Sequence, residues 1–166
     1  KVYEIPEGSK TSKGRAIQNL INLPPDDKVM AYINTKDLKD EDYINSNYIV
    51  MCTKNGQVKK TSLEQYSRPR TNGINAITIK EGDQLFEAKM TNGESQIMIA
   101  AKSGKCIRFE ESKVRSMGRT ASGVRGITLK DKNDTVVGMI CVNDMESSVL
   151  VVAENGYGKR SSIEEY

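Results

Sequence analysis

Three stretches decide the fold: YIVMCTKNGQVKKTSLEQY at 48–66, QIMIAAKSGKCIRFEESKV at 96–114 and VLVVAENGYGKRSSIEEY at 149–166. In each, an apolar run leads to a glycine, then to basic residues, then to an acidic stretch. The anchors Gly56, Gly104 and Gly156 stand 48 and 52 residues apart, and ten residues beyond them come Tyr66, Val114 and Tyr166. A second motif interleaves with the first: INLPPDDKV at 21–29, ITIKEGDQL at 77–85 and ITLKDKNDTV at 127–136. It runs from an apolar pair through a polar turn to Asp27, Asp83 or Asp134, and a glycine precedes it each time, at Gly14, Gly73 and Gly123. Two motifs recurring in the same order mark a tandem array with a period of about 50 residues.

The apolar stretches read as strands. KVMAYIN (28–34), QLFEAKM (84–90) and TVVGMICV (135–142) alternate, while YIVMC, QIMIAA and SVLVVA are short runs rich in branched side chains. Asn55-Gly56, Ser103-Gly104, Asn155-Gly156 and Asn92-Gly93 mark the turns, with both central residues expected at positive φ. Only single helical turns are expected, at 63–66, 110–116 and 162–165, and DLKDEDYINS (37–46) reads as an acidic surface loop. The expected fold is all-β: four-stranded blades of a propeller-like wheel. The units are placed at 1–47 (the end of one blade), 48–95, 96–147 and 148–166 (the start of another). The array starts and stops mid-unit, so the wheel is expected to be incomplete, cut from a longer array.

Composition narrows the chemistry. The chain has no histidine, which removes Ser-His-Asp, Cys-His and His-metal constellations. No CxxC pair, P-loop or strand-borne GxGxxG is present. Cys52, Cys106 and Cys141 are odd in number, widely spaced and set in apolar stretches, so they read as buried, reduced thiols. No apolar run approaches the roughly 20 residues that span a bilayer, and no signal peptide is expected. A binding role is expected rather than catalysis.

The net charge of +3 says little, but its distribution follows the repeat. Residues 54–73 hold five cations against Glu64 alone, and residues 102–126 hold seven against Glu110 and Glu111. The intervening stretches 74–101 and 127–153 reverse the sign. Stacked repeats place equivalent segments on one surface, so a basic stripe is expected, suited to a polyanion whose phosphates are neutralised additively. With 5% aromatics and no Trp, base stacking on single strands is disfavoured and duplex DNA held by its backbone fits better. The plain alternative is a solvated face with compensating acids.

Together these residues resemble the C-terminal domain of the DNA gyrase A subunit, most closely in VRSMGRTASGVRGITL (114–129) and ENGYGKRSSIEEY (154–166). TKNGQVKKTSLEQY (53–66) and GRAIQNLINL (14–23) support the resemblance, which runs over essentially the whole chain. It implies a β-pinwheel, a propeller variant whose blades exchange strands, with duplex DNA bent around a basic rim so that negative supercoils can be introduced. The implied partners are duplex DNA, the rest of the gyrase A chain, and the gyrase B chain. The implied enzyme is bacterial, cytoplasmic and nucleoid-associated, an ATP-dependent type II topoisomerase. ATP and Mg would act elsewhere in that enzyme; no cofactor, no membrane and no catalytic residue is expected here.

One departure matters. The family's Q-[RK]-R-G-G-[RK]-G box is missing, and SRPRTNG (67–73) and SMGRTASG (116–123) look like degenerate copies. Weaker DNA binding than in the family is therefore expected, without support for supercoiling. By matching positions, the expected DNA contacts are Lys59, Lys60, Arg68 and Arg70 in one unit and Arg108, Arg115, Arg119 and Arg125 in the next. Lys159 and Arg160 begin a third set, and Lys10, Lys13 and Arg15 end the first. Any of these cations could instead pair with a local acid, Arg108 with Glu110 or Glu111 above all. Rival readings are the corresponding C-terminal domain of topoisomerase IV, a weak DNA binder, and a protein-interaction propeller with no DNA role.

Overall fold

In a computed structural model that describes residues 1–21, 23–24 and 26–166, the apolar runs after each unit start become hairpins. They are β1 (Tyr48–Thr53) with β2 (Gln57–Ser62), β4 (Gln96–Ala101) with β5 (Cys106–Glu110), and β8 (Ser148–Val152) with β9 (Gly158–Ser162). Each turn closes the same way: the N–H groups of Gly56, Gly104 and Gly156 donate to the carbonyls of Thr53, Ala101 and Ala153 at 3.0, 2.9 and 2.9 Å. These glycines have φ of 81°, 84° and 85°, and no residue other than glycine takes a positive φ among those described. The expectation that both central residues would be left-handed is thus corrected. The loop is one residue longer than a two-residue hairpin turn and ends in a single left-handed glycine.

A third strand lies on the other side of each leading strand: β3 (Leu85–Thr91) beside β1 and β7 (Val136–Val142) beside β4. The recurring aspartate belongs to the turn just before these strands, and it reaches across to the hairpin of its own unit. Asp83 Oδ1 accepts the Asn55 N–H at 3.0 Å; Asp134 accepts the Ser103 N–H at 2.9 Å and its hydroxyl at 2.7 Å.

The fourth strand comes from the next unit. The first sheet has the order β3-β1-β2-β6, where β6 is Val124–Arg125 of the following repeat. Its approach is fixed by Met117 N–H on the Lys60 carbonyl (2.8 Å), by the pairs Val58↔Val124 and Gln57↔Arg125, and by Gly126 N–H on the Gly56 carbonyl (2.8 Å). Ile74, at the repeat position of Val124, makes the same pairing with Val2 in the preceding unit, at 2.8 and 2.9 Å. The other sheets are β5-β4-β7 and β8-β9. Open sheets completed by a neighbour's strand give an incomplete wheel.

Apolar layers fill the spaces between successive sheets. Val50, Cys52 and Val58 on one face of the first sheet pack with Ile97, Ile99, Val114, Ile127, Val136 and Met139 of the next unit. On the other face Ile49, Met51, Leu63, Tyr66 and Ala88 pack with Val2, Ala31 and Ile33 of the preceding one. Two expectations fail. Residues 28–34 form no strand, whereas their counterparts β3 and β7 each pair with the leading strand of their own unit. The acidic stretch contains the helix α1 (Glu41–Ser46), capped by Asp40, which accepts the Tyr43 N–H at 3.1 Å, and it buries Ile44. Glu41 and Asp42 in its first turn favour the positive end of the helix dipole.

Candidate nucleic-acid interface

Strand β2 lies between two sheet neighbours and two apolar layers, and both of its lysines go inside. Lys59 is fully buried. Its ammonium donates to the carbonyls of Ala76 and Arg119. Burial, aided by the nearby Arg119 charge, pulls its pKa down to about 8. Lys60, 7% exposed, points the other way, toward the next unit. It donates to the Glu111 carbonyl at 3.2 Å, lies 3.8 Å from that residue's carboxylate and sits 4.9 Å from the centre of the Tyr48 ring. The Glu111 carboxylate, buried where the other units carry Leu63 and Ile163, also accepts the Thr91 hydroxyl at 2.7 Å and the Ser95 N–H at 3.2 Å. Lys59 and Lys60 therefore hold units together and do not face a polyanion, which corrects the expectation for both.

Arg108, at the repeat position of Lys60, is half-buried and also reaches into the following unit, where its Nε donates to the Tyr166 carbonyl at 3.0 Å. No ion pair joins it to Glu110 or Glu111 among the described residues.

The remaining predicted residues are at the surface, and the fold brings three of them together. Arg68 and Arg70 stand on the loop after the 3-10 turn Leu63–Tyr66; Arg119 stands on the exchanged loop of the next unit. All three line one open groove of about 840 Å³. The loops are fastened side by side. Thr78 donates its hydroxyl to the Thr120 carbonyl at 2.7 Å and its N–H to the Ala121 carbonyl at 3.3 Å, and an Arg119 guanidinium N–H reaches the Asn75 carbonyl at 3.4 Å. Among the described residues neither Arg68, Arg70 nor Arg119 has a carboxylate within 4.0 Å, although Glu64 is part of the lining. Lys1, Ser67, Thr71, Asn72, Asn75 and Thr120 are among the other lining residues. Three uncompensated guanidiniums beside hydroxyls, amides and backbone N–H groups are what phosphate oxygens accept from.

Arg115 and Arg125 are exposed on the same exchanged segment, before and after Arg119, and Arg125 pairs with Gln57 in β6. Lys10, Lys13 and Arg15 are exposed in the irregular first stretch, outside the groove. Lys159 and Arg160 are exposed on β9, and Lys159 lies 3.5 Å from Glu165. The polar groove residues escaped the sequence reading. Their signal was there: the two degenerate loops occupy successive repeat positions, and strand exchange brings such loops edge to edge.

A four-stranded sheet completed by exchange, beside open sheets of three and two strands and with arginines on the exchanging loops, is the architecture of a β-pinwheel with a cationic groove. Comparison with known proteins carries this further. A family model described as the DNA gyrase C-terminal domain, beta-propeller, matches residues 1–36, 47–92, 95–143 and 147–166. The chain belongs to this family. It is 46% identical over 167 residues to the DNA gyrase A protein of Staphylococcus epidermidis, covering 100% of this chain and 18% of that relative. Thus the chain spans less than a fifth of the curated relatives that it matches. Among solved structures, the C-terminal domain of DNA topoisomerase IV superposes with a TM-score of 0.82 at 27% identity, over 92% of this chain and 46% of that one. A DNA gyrase A C-terminal domain gives 0.76 at 25%, over 92% and 48%. No helix among the described residues is long and apolar enough to cross a membrane.

Proposed function

We propose that the chain binds duplex DNA through its phosphates and bends it, independently of sequence, as part of the gyrase A chain of a bacterial DNA gyrase. The observation that carries this reading is the groove in which Arg68, Arg70 and Arg119 converge without acidic partners. Arg115 and Arg125 are further exposed cations on the exchanged segment that carries Arg119. Additive phosphate contacts of this kind offset the cost of bending the duplex. The proposed protein partners are the rest of gyrase A together with gyrase B, in the bacterial cytoplasm at the nucleoid. ATP and Mg would serve chemistry outside this chain, and the bending proposed for it shapes the DNA path of the whole enzyme without this chain alone supporting supercoiling.

The higher TM-score to topoisomerase IV favours a second reading, the weaker DNA binder of that enzyme. Whole-chain identity of 46% to gyrase A outweighs it, because strand-exchanged blades superpose well across both enzymes. Duplex binding followed across a salt series tests the proposal. A steep loss of affinity with salt, equal for unrelated sequences, is expected. No binding at low salt refutes it and leaves a protein-interaction role.

A further inference from the structure

The groove has a feature beneath it that phosphate binding alone does not use. Lys59 is buried directly under the loops that carry the arginines, and no other unit repeats a buried ammonium there: Tyr3, Ile107 and the exposed Lys159 occupy its repeat positions. A buried ammonium is costly unless strong acceptors take up its protons. Here two of its three N–H donors go to backbone carbonyls on two different units, those of Ala76 and Arg119. The Tyr66 hydroxyl donates to the same Ala76 carbonyl at 3.1 Å, so this strand of backbone is held from two directions.

We infer that Lys59 is a positioning residue for Arg119, a buried bridge that ties the exchanged loop to the Ala76 segment and so sets Arg119 opposite Arg68 and Arg70. The inference rests on the DNA-binding reading above and deepens it. Without the bridge, the Arg119 peptide is left to the turn bond from the Ala121 N–H to the Gly118 carbonyl, the Met117 anchor on Lys60, the edge contacts of Thr120 and Ala121, and its own long contact to Asn75. A guanidinium that wanders by about an ångström loses its share of a bidentate phosphate contact.

The same geometry couples the bridge to the ligand. The charged and titratable groups facing Lys59 are Arg119 from the exchanged loop and Tyr66 from the 3-10 turn, while β1 and β3 present Met51 and Ala88 on that face. Arg119 repels the ammonium, which together with burial brings it near its titration point at mildly alkaline pH. A phosphate in the groove cancels much of that repulsion and favours the protonated form. By linkage, DNA binding then draws a proton onto Lys59.

A double-mutant cycle on duplex affinity, with Lys59→Met and Arg119→Gln in the full chain, tests the inference. Lys59→Met is expected to weaken binding several-fold when Arg119 is present and less than twofold when residue 119 is glutamine. Equal losses in both backgrounds would mean that Lys59 supports the fold in general, and the inference fails. Should Lys59→Met not fold, the wild-type chain decides: the lysine Cε resonance of Lys59, followed by NMR against pH, is expected to show a midpoint about one unit higher with a short duplex bound. An unmoved midpoint in a chain that binds the duplex overturns the inference alone. A wild-type chain that binds no duplex overturns the DNA reading as well.

Discussion

A Cβ at position 123 would stand 2.5 Å from the Val58 carbonyl oxygen, and Gly123 already sits at φ 94°. Strand exchange needs this close approach of two backbones at Gly123, whereas at Gly73 a Cβ would meet the Tyr3 ring and at Gly14 it would meet nothing within 4 Å. Gly123→Ala is expected to cost about 2–4 kcal/mol in urea unfolding, combining left-handed strain with a backbone clash. Gly118→Ala, which meets nothing within 4 Å, is expected to change stability by less than about 0.5 kcal/mol. Titratable residues leave signatures at both ends of the pH scale. The Asp134 carboxyl is held below its ordinary value by the Lys130 N–H first and by the Ser103 hydroxyl next. Its stabilisation is complete above the unfolded value near 4 and is lost as pH falls through the folded one, so the wild-type chain should lose its advantage over Asp134→Asn in melts taken from about pH 6 to about pH 2.5. For Lys59 the slope keeps the same sign in an alkaline window, because its folded value is likewise lowered, to about 8, but the contribution is a penalty relieved as pH rises. Between about pH 8 and the unfolded value near 10.4 the unfolded chain holds more protons, and stability relative to Lys59→Met should rise with pH. The thiols of Cys52, which is buried, and Cys141, which like Cys106 is only half-buried against expectation, are raised to about 12 and act in the opposite direction, but they cancel in that comparison. The recurrence of glycine and aspartate was legible in the sequence. Their geometric reasons were not, since a clash or a latch across 31 residues exists only after pairing.

Strand β2 shows the limit of reading elements one at a time. The run VKKTS looked like a solvent-facing basic segment because lysine is seldom buried. Its fate is decided by neighbours: β1 on one edge, β6 on the other and an apolar layer over each face. Period-two alternation then sends Lys59 and Lys60 to opposite layers, and each must find acceptors there. For Lys60 the acceptor is Glu111, a carboxylate in a position that Leu63 and Ile163 fill elsewhere. Such a buried pair fixes how two units sit together more than it stabilises them. Lys60→Met alone is expected to destabilise by about 3–5 kcal/mol, because Glu111 is left buried with fewer partners. Combined with Glu111→Leu, most of that loss should return, as the apolar residues at the equivalent positions suggest. Denaturant titration of the two single variants and the double variant measures the coupling, and additive losses would contradict an interdependent pair.

At the scale of the whole molecule, the repeat announced the blades but not where each blade ends. Cutting the sequence at its period gives units that look self-contained, whereas the sheet β3-β1-β2-β6 takes its last strand from 62 residues beyond the end of β2. Two residues of pairing at β6 are too short to be seen as a strand by alternation. Exchange is also what makes the groove, since it lays the Arg119 loop of one unit beside the Arg68–Arg70 loop of the other. The cations are therefore not equivalent, and a binding experiment should resolve them. If the groove is where phosphates sit, each arginine lost removes about one phosphate contact, and the slope of log affinity against log salt flattens by about 0.9 for each. Arg68, Arg70 and Arg119 changed together to glutamine should reduce that slope by about 2–3 and weaken binding equally for unrelated duplexes. Lys80, Lys89 and Lys130, exposed in the stretches where acids dominate, should leave the slope unchanged when substituted in the same way. Fluorescence anisotropy of a labelled duplex at four or five salt concentrations gives both slopes. Equal slopes for the two triple variants would mean that the duplex senses only net charge, and the groove would lose its place as the site of contact.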